Sequence, residues 1–445
     1  MVEAQAPSSK KYKMWDTVIG YLTRMEELFD TMMQAEMTQE QIVNPLFIRI
    51  LNNYFKRLYE AEASKRPVLM YNFCIPPEII YALDGYPICQ EAGSVALSIV
   101  GKQHLQYIDI AEENGISAEQ CNAQKIWIGA AMVDEVPPPN GIIYASQPCD
   151  STNILYQVLE ELYQIPTYTM DVPYWAHDPA SEFYDERVVP YFSEQLRGIF
   201  PWAEKNFGLK LDPERLHQVM ELSNQAREYT LEINELMKAK PTPLPSMTTF
   251  TTYLTLTTAA GTQDAVDYCK WTRDKAADLV RRKTSSLQEM YGLEEKFRVV
   301  WVYIPIFWSL MLYDWMERKF GAVIVQDLMG YHLGKPIDVS NENTIFNGLA
   351  RSILDIPMGA QSRGPAEYYL DYLLHLVKEY DADCAIFGGH MGCKHSWGIA
   401  TLLKEELYKR AGVPMLVFEV DTMDPRQVSE KDIKQKLRTF FKEVL

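Results

Sequence analysis

Seven cysteines, at positions 74, 89, 121, 149, 269, 384 and 393, hold the most chemical potential in this chain. No two stand as Cys-x-x-Cys, so the signatures of a zinc ribbon, a thioredoxin-like site and a ferredoxin-type run are missing. A secreted disulfide framework would show an even count in a much shorter chain. Reduced thiols or metal ligands are the better reading. Three of the seven share one structural address. Cys121 follows the capping-box pattern Ser117-Ala118-Glu119-Gln120 and is expected in the first turn of a helix reaching position 133. Cys149 falls between a strand at 142–145 and a helix at 152–163 that Asp150 or Ser151 caps. Cys393 closes the loop Gly388-Gly389-His390-Met391-Gly392, again after a strand and before a helix.

In open α/β sheets such loops line the crevice at the carboxyl ends of the strands, where ligands sit. Helix N-termini add free N–H groups and a positive dipole end, which stabilise thiolates and a thiolate-held cluster. Glycines around Cys393 permit close approach of the backbone to a bulky group. Three thiolates on a [4Fe-4S] cubane would leave one iron without a cysteine, open to an oxygen ligand. Spacing alone keeps the bland alternative open, because a small buried cysteine is usually core. That alternative is strongest for Cys269, on an amphipathic helix, and Cys384, inside an apolar strand. Cys74 and Cys89 lie near the expected crevice and remain alternative ligands.

These residues need a scaffold, and the sequence indicates one. Apolar positions at helical spacing run through 14–62, and a buried strand follows at 68–71. Pro76-Pro77 opens a helix that Gly85 ends. With the strand at 142–145, the helix at 152–163 and a strand at 166–170, this is the βαβ signal of a parallel sheet. Residues 180–240 read as helical, with a long amphipathic run from 213 to 238. From 298 onward strands at 299–304, 322–325, 384–387 and 415–418 alternate with helices at 308–320, 365–380 and 396–411 and at the C-terminus. The expected fold class is α/β, with two Rossmann/flavodoxin-like parallel-sheet halves and helical N-terminal and connecting segments. The expected divisions are a helical segment 1–65, a first α/β domain 66–180, a mainly helical region 181–290 and a second α/β domain 291–445.

Composition narrows the partners. The chain has 445 residues, 47% of them hydrophobic, enough for a sizeable core without staples. Its 43 basic and 60 acidic residues give a formal charge of −17, a field that repels phosphate backbones. Nucleic acid and anionic membrane surfaces are therefore not expected partners. No stretch reaches the roughly 18 to 20 apolar residues a membrane span needs. The start, MVEAQAPSSKKYK, lacks the apolar centre of a signal peptide, so a cytoplasmic protein is expected.

The order of motifs resembles one family. Pro77-Glu78 with Ala82 and Gly85-Tyr86-Pro87 is similar to the P-x-E…A-x-G-x-P segment of the 2-hydroxyacyl-CoA dehydratase and benzoyl-CoA reductase family. Cys121 stands at that family's first cysteine. Ser146-Gln147-Pro148-Cys149-Asp150 resembles its T-x-C-D-type segment, and Asp383–Lys394 resembles its D-G-V-I-F…C-K segment. These landmarks cover 76–397. One departure is Tyr303-Ile304-Pro305-Ile306-Phe307-Trp308, which lacks the glycine usual after that strand; another is Cys384, where a glycine is common.

The resemblance implies a [4Fe-4S] cluster on Cys121, Cys149 and Cys393 in the larger of two related cluster-bearing subunits. It implies a separate ATP-hydrolysing activator, with its own iron–sulfur cluster, that supplies low-potential electrons. ATP is expected on that activator, since no G-x-x-x-x-G-K-[ST] motif occurs here. The substrate would be an acyl-CoA thioester. Chain length and the segment His390–Trp397 lean towards the benzoyl-CoA reductase branch, in which an aromatic ring gains two electrons and two protons. Alternatives are a 2-hydroxyacyl-CoA dehydratase subunit working through a ketyl radical, a non-catalytic electron-relay subunit, and an α/β protein without a cluster. His390, three residues before Cys393, and Glu78 are the candidate proton carriers. For His390 the competing role is a hydrogen-bonded loop histidine, and for Glu78 support of a helix N-terminus. Trp308 and Trp397 are candidate walls of a flat pocket or plain core, and Lys394 a candidate counter-charge or a solvated lysine.

Overall fold

The computed structural model describes residues 10–34, 44–147, 149–174, 187–331, 334–364 and 366–445. Helices α1 (Lys13–Gln34) and α2 (Pro45–Ser64) come first. The first sheet region then runs β1 (Val68–Tyr71), α3 (Pro77–Ala82), β2 (Tyr86–Cys89), α4 (Gln90–Val100), α5 (Gln103–Glu113) and α6 (Asn122–Met132). It closes with β3 (Gly141–Ala145), α7 (Asp150–Tyr163) and β4 (Thr167–Met170). Helices α8 (Val188–Phe207), α9 (Pro213–Leu236), α10 (Met247–Ala259), α11 (Gln263–Arg282) and α12 (Ser286–Tyr291) follow. The second sheet region runs β5 (Phe297–Trp301), α13 (Met311–Phe320), β6 (Ala322–Asp327), α14 (Glu342–Asp355), α15 (Pro357–Arg363) and α16 (Ala366–Glu379). It ends with β7 (Cys384–His390), α17 (Lys394–Trp397), α18 (Ala400–Ala411), β8 (Met415–Val420) and α19 (Glu430–Thr439).

The strands form two four-stranded parallel sheets with one strand order: β2-β1-β3-β4 and β6-β5-β7-β8. In each, the connections leave the first strand in opposite directions, which places a switch point between β1 and β3 and between β5 and β7. Helices cover these sheets, so β3 and β7 are buried along their whole length. Burial on both faces explains why these strands read as apolar runs. The α/β class with two parallel-sheet halves is the observed architecture.

Several local expectations need correction. The helical run 14–62 is two helices; Asn44 Oδ1 accepts the Leu46 N–H and Pro45 sits in the first turn of α2. Positions 35–43 lie outside the described residues. Ser117 does not cap α6: its Oγ accepts the Glu119 N–H, and the helix opens at Asn122 with Cys121 as its N-cap. The strand expected at 299–304 ends at Trp301, and Tyr303 takes φ 77°. That is the left-handed region a glycine would occupy without strain, so the tyrosine there carries backbone strain. Gly388, Gly389 and His390 belong to strand β7 rather than to a loop. The helix expected at 396–411 is split into α17 and α18. Strand β2 and helices α4 and α5 were not anticipated; β2 is a four-residue edge strand whose Pro87 is tolerated there because an edge has a free side.

The two sheet regions meet near the carboxyl ends of their strands. Asn122 Nδ2 donates to Asp421 Oδ2 at 2.8 Å, and His104 Nε2 lies 2.9 Å from the Met423 carbonyl oxygen. Within the second region, Trp308 Nε1 donates to the Asp421 carbonyl at 2.7 Å. Among the described residues, no helix is long and apolar enough to cross a membrane.

Candidate functional site

Cys121, Cys149 and Cys393 are the N-cap residues of α6, α7 and α17, and all three line one cavity. For Cys121 and Cys149, before helices of 11 and 14 residues, unsatisfied N–H groups and the positive end of a helix dipole accumulate there. The loops that carry them are tied together. Ser151 Oγ accepts the Cys121 N–H at 3.3 Å and donates to Gln120 Oε1 at 2.6 Å, joining the starts of α6 and α7. Asn72, fully buried after β1, donates to the carbonyls of Ala145 and Gln147 at 3.1 and 3.0 Å and holds the approach to Cys149. Lys394 Nζ donates to Asp150 Oδ2 at 2.9 Å across the half-exposed mouths of α17 and α7.

Gly392 brings the Cys393 loop onto Cys121. A Cβ there would stand 2.8 Å from Cys121 Cα and 3.0 Å from His390 Nε2, too close for any other residue. His390 is 1% exposed, and its Nε2 lies 3.2 Å from Cys121 Sγ. Its Nδ1 accepts the Thr422 N–H at 3.4 Å and stands 3.6 Å from Asp421 Oδ2. Burial pushes the His390 pKa down, against the pull of Asp421.

Burial pushes the Cys121 thiol well above its usual range, and the neighbouring Cys149 and Cys393 add to that, against the Ala123 N–H. Burial likewise pushes Cys149 up to about 11; the Thr152 hydroxyl, 3.3 Å from its sulfur, pulls it down, while Cys393 raises it. Thiolates gathered in a low-dielectric cavity repel one another, and cations between them would relieve that repulsion. Among the described residues no group of three or more His, Cys, Asp or Glu side chains is arranged to share a single metal ion.

The cavity wall is mostly apolar, with Phe73, Phe250, Leu254, Phe307 and Met329, and among the described residues no lysine or arginine lines it. Three buried polar atoms on its lining residues have no protein partner: Glu91 Oε1, Gln124 Oε1 and Thr422 Oγ1. Orphaned polar atoms are costly to bury, and a ligand or an ordered water in the cavity would satisfy them. Burial pushes the Glu91 carboxyl up to about 7, and the Cys89 thiol donates to its Oε2 at 3.5 Å. Glu91 did not stand out in the sequence; Cys89 was an alternative ligand near the expected crevice, and the structure places it on the cavity lining. The available signal was positional: Cys89 also caps a helix that follows directly on a strand.

Other candidates lie elsewhere. Glu78 is buried in a second cavity, where Ser223 Oγ donates to it at 2.7 Å and Arg227 pairs with it at 3.1 Å. That cavity shares Phe73, Tyr253 and Thr257 with the cysteine cavity, but Glu78 does not reach the cysteines' own lining. Trp397 packs edge-on against Phe387, where Gly389 makes room for it, and neither Trp397 nor Trp308 lines the cavity. Cys269 and Cys384 are buried core, and Cys74 is buried without lining the cavity.

Residues 72–444 match the family described as 2-hydroxyglutaryl-CoA dehydratase, D-component. The chain belongs to this family. It is 25% identical to a benzoyl-CoA reductase subunit of Thauera aromatica over 350 residues, 75% of this chain and 78% of that protein. Identity to the (R)-phenyllactyl-CoA dehydratase alpha subunit of Clostridium sporogenes is 23% over 372 residues, covering 82% of this chain and 86% of the relative. Identity to the lactoyl-CoA dehydratase alpha subunit of Anaerotignum propionicum is 21% over 406 residues, covering 83% and 89%. Family members of reductase and of dehydratase type are thus both similar to this chain, and all three relatives are named as subunits.

Proposed function

We propose that this chain is the larger of two cluster-bearing subunits of an ATP-dependent aryl-CoA reductase of the benzoyl-CoA type, with Cys121, Cys149 and Cys393 holding one [4Fe-4S] cluster. The observation that carries the reading is the convergence of Cys121, Cys149 and Cys393, each capping a separate helix, on one largely apolar cavity that a fourth helix-capping cysteine, Cys89, also lines. The donor set fits: three thiols, orphaned polar atoms beside them, and a glycine that removes the side chain between two of the loops. A bound cluster would supply single low-potential electrons, with one iron free of cysteine.

The chain's own residues would do the rest. The aromatic and methionine wall takes a flat, uncharged acyl group and excludes water, and the lack of a cation disfavours a second carboxylate on it. Glu91 holds a proton on its carboxyl near neutral pH and presents the unpartnered Oε1, the properties of a general acid. The partners on this reading are a smaller related subunit and an ATP-hydrolysing activator with its own cluster, in the cytoplasm.

A second reading, a 2-hydroxyacyl-CoA dehydratase subunit, is favoured by the relatives named as phenyllactyl- and lactoyl-CoA dehydratase subunits. The test is iron, acid-labile sulfide and EPR on protein purified without oxygen together with its partner subunit, followed by turnover. About four irons in this chain with net electron consumption on benzoyl-CoA supports the first reading. Turnover of a 2-hydroxyacyl-CoA without net electron consumption supports the second. An iron-free, well-folded preparation sinks both.

A further inference from the structure

We infer that His390 is a positioning residue: it donates its Nε2–H to the Cys121 sulfur and thereby raises the reduction potential of the group the cysteines hold. This rests on the cluster reading above but concerns a different residue and a different property. The sequence alone pointed to His390 as a carrier of protons to substrate. The geometry assigns both ring nitrogens otherwise.

The tautomer follows from the partners. Nδ1 accepts the backbone N–H of Thr422, so the proton of the neutral ring sits on Nε2. Nε2 faces Cys121 Sγ at 3.2 Å, a normal N–H···S contact. Asp421 has its charge satisfied elsewhere: Oδ1 accepts the N–H groups of Met423 and Asp424, each at 2.8 Å, and Oδ2 accepts Asn122 Nδ2. The ring therefore answers to the Thr422 backbone and the sulfur. At 1% exposure it has no access to water as an alternative acceptor. Gly392 lies against Nε2 and keeps the ring on Cys121, since any side chain there would push between them. Donor and sulfur come from opposite sheet regions, 269 residues apart.

A hydrogen bond to a thiolate stabilises negative charge, and it does so more strongly in the reduced than in the oxidised state. Removing it makes reduction harder. The experiment is an anaerobic redox titration with titanium(III) citrate, monitored by EPR, on the wild-type complex and on His390→Leu and His390→Gln. Iron content and melting temperature are measured alongside. Gln reaches the Nε2 position with an N–H; Leu carries none. The expected result is a more negative midpoint in His390→Leu, recovery towards wild type in His390→Gln, and equal iron in all three. His390→Asn, whose amide reaches only the Nδ1 position, replaces the leucine variant if that one does not hold iron, and the same downward shift is expected. An unmoved midpoint in an iron-loaded donor-free variant overturns the inference and leaves the cluster reading standing. An iron-free wild type overturns the cluster reading, and this inference with it.

Discussion

The two parallel sheets share a strand order, yet they contribute unequally to the cavity. Tyr71 at the end of β1 pairs with Ile143 of β3, and Trp301 at the end of β5 pairs with Ile386 of β7. Counted from those pairs, Cys149 and Cys393 follow at nearly the same distance, each capping the next helix. This shared part is scaffold, a consequence of the switch point that any such sheet has. The difference lies in the crossovers. Between β2 and β3 the first region inserts α4, α5 and α6, which bring Glu91 and Cys121 to the cavity. Between β6 and β7 the second region inserts α14, α15 and α16, which supply no cysteine. Its distinctive contribution is His390, at the end of a seven-residue β7 where β3 has five. The common topology builds the crevice, and the unequal insertions decide its chemistry.

That contrast can be broken most severely at the capping cysteines. Cys121→Ser, Cys149→Ser and Cys393→Ser are each expected to remove most of the iron and at least ~100-fold of turnover, from loss of a metal ligand. Cys269→Ser, in the α9–α11 packing against Thr230, is expected to leave iron unchanged. If Cys269→Ser alone empties the site, the assignment of the cysteines is wrong.

Glu91→Gln tests the insertion between β2 and β3 without touching a thiol. Loss of a general acid is expected to lower turnover by about 100-fold with iron retained. The wild-type rate should fall as pH rises through about 7, because the protonated carboxyl is the active form, and the variant should lose that limb. Stability has the same sign. The folded pKa is raised from 4.5 to about 7, so the contribution is full below 4.5 and lost as pH climbs through about 7. Urea unfolding at pH 5.5 and 8 should therefore show a smaller pH dependence in Glu91→Gln than in wild type.

Asn72→Ala tests the scaffold itself. It would leave the buried carbonyls of Ala145 and Gln147 and the Ala145 N–H without their partner. A loss of about 2–4 kcal/mol is expected, at roughly 1–3 kcal/mol for each unsatisfied group with partial relaxation. Denaturant unfolding measures it, and a wild-type midpoint would show that Asn72 does not hold the loop. The smallest effect belongs to Lys394→Ala. Its pair with Asp150 is half-exposed at both ends, so less than about 1 kcal/mol is expected, shrinking further with added salt.

Much of this architecture was legible because buried parallel strands announce themselves. The runs at 142–145 and 384–387 are apolar throughout, and the glycine- and proline-rich segments after them located Cys149 and Cys393 correctly before helices. Strand β2 was hidden by its four residues and its proline, and without it Cys89 could not be placed at a strand end. Glu91 was hidden for a different reason. An acidic residue in the first turn of a helix is ordinary, and only the tertiary closure of the cavity, with α10 and the segment after β5 on its far wall, removes its water. His390 was read as a loop residue because two glycines precede it; strand β7 instead carries it to the sulfur of Cys121.

The sequence by itself determined the α/β class, the two parallel sheets and the placing of three cysteines near helix starts, because periodicity and strand burial are local properties. Only the tertiary structure decided that Cys121 sits beside Cys393 and His390, that Glu78 belongs to a neighbouring cavity, and that Glu91 faces the cysteines. Those facts depend on how the two sheet regions close on each other, and burial and charge at such a junction are set by residues hundreds of positions apart.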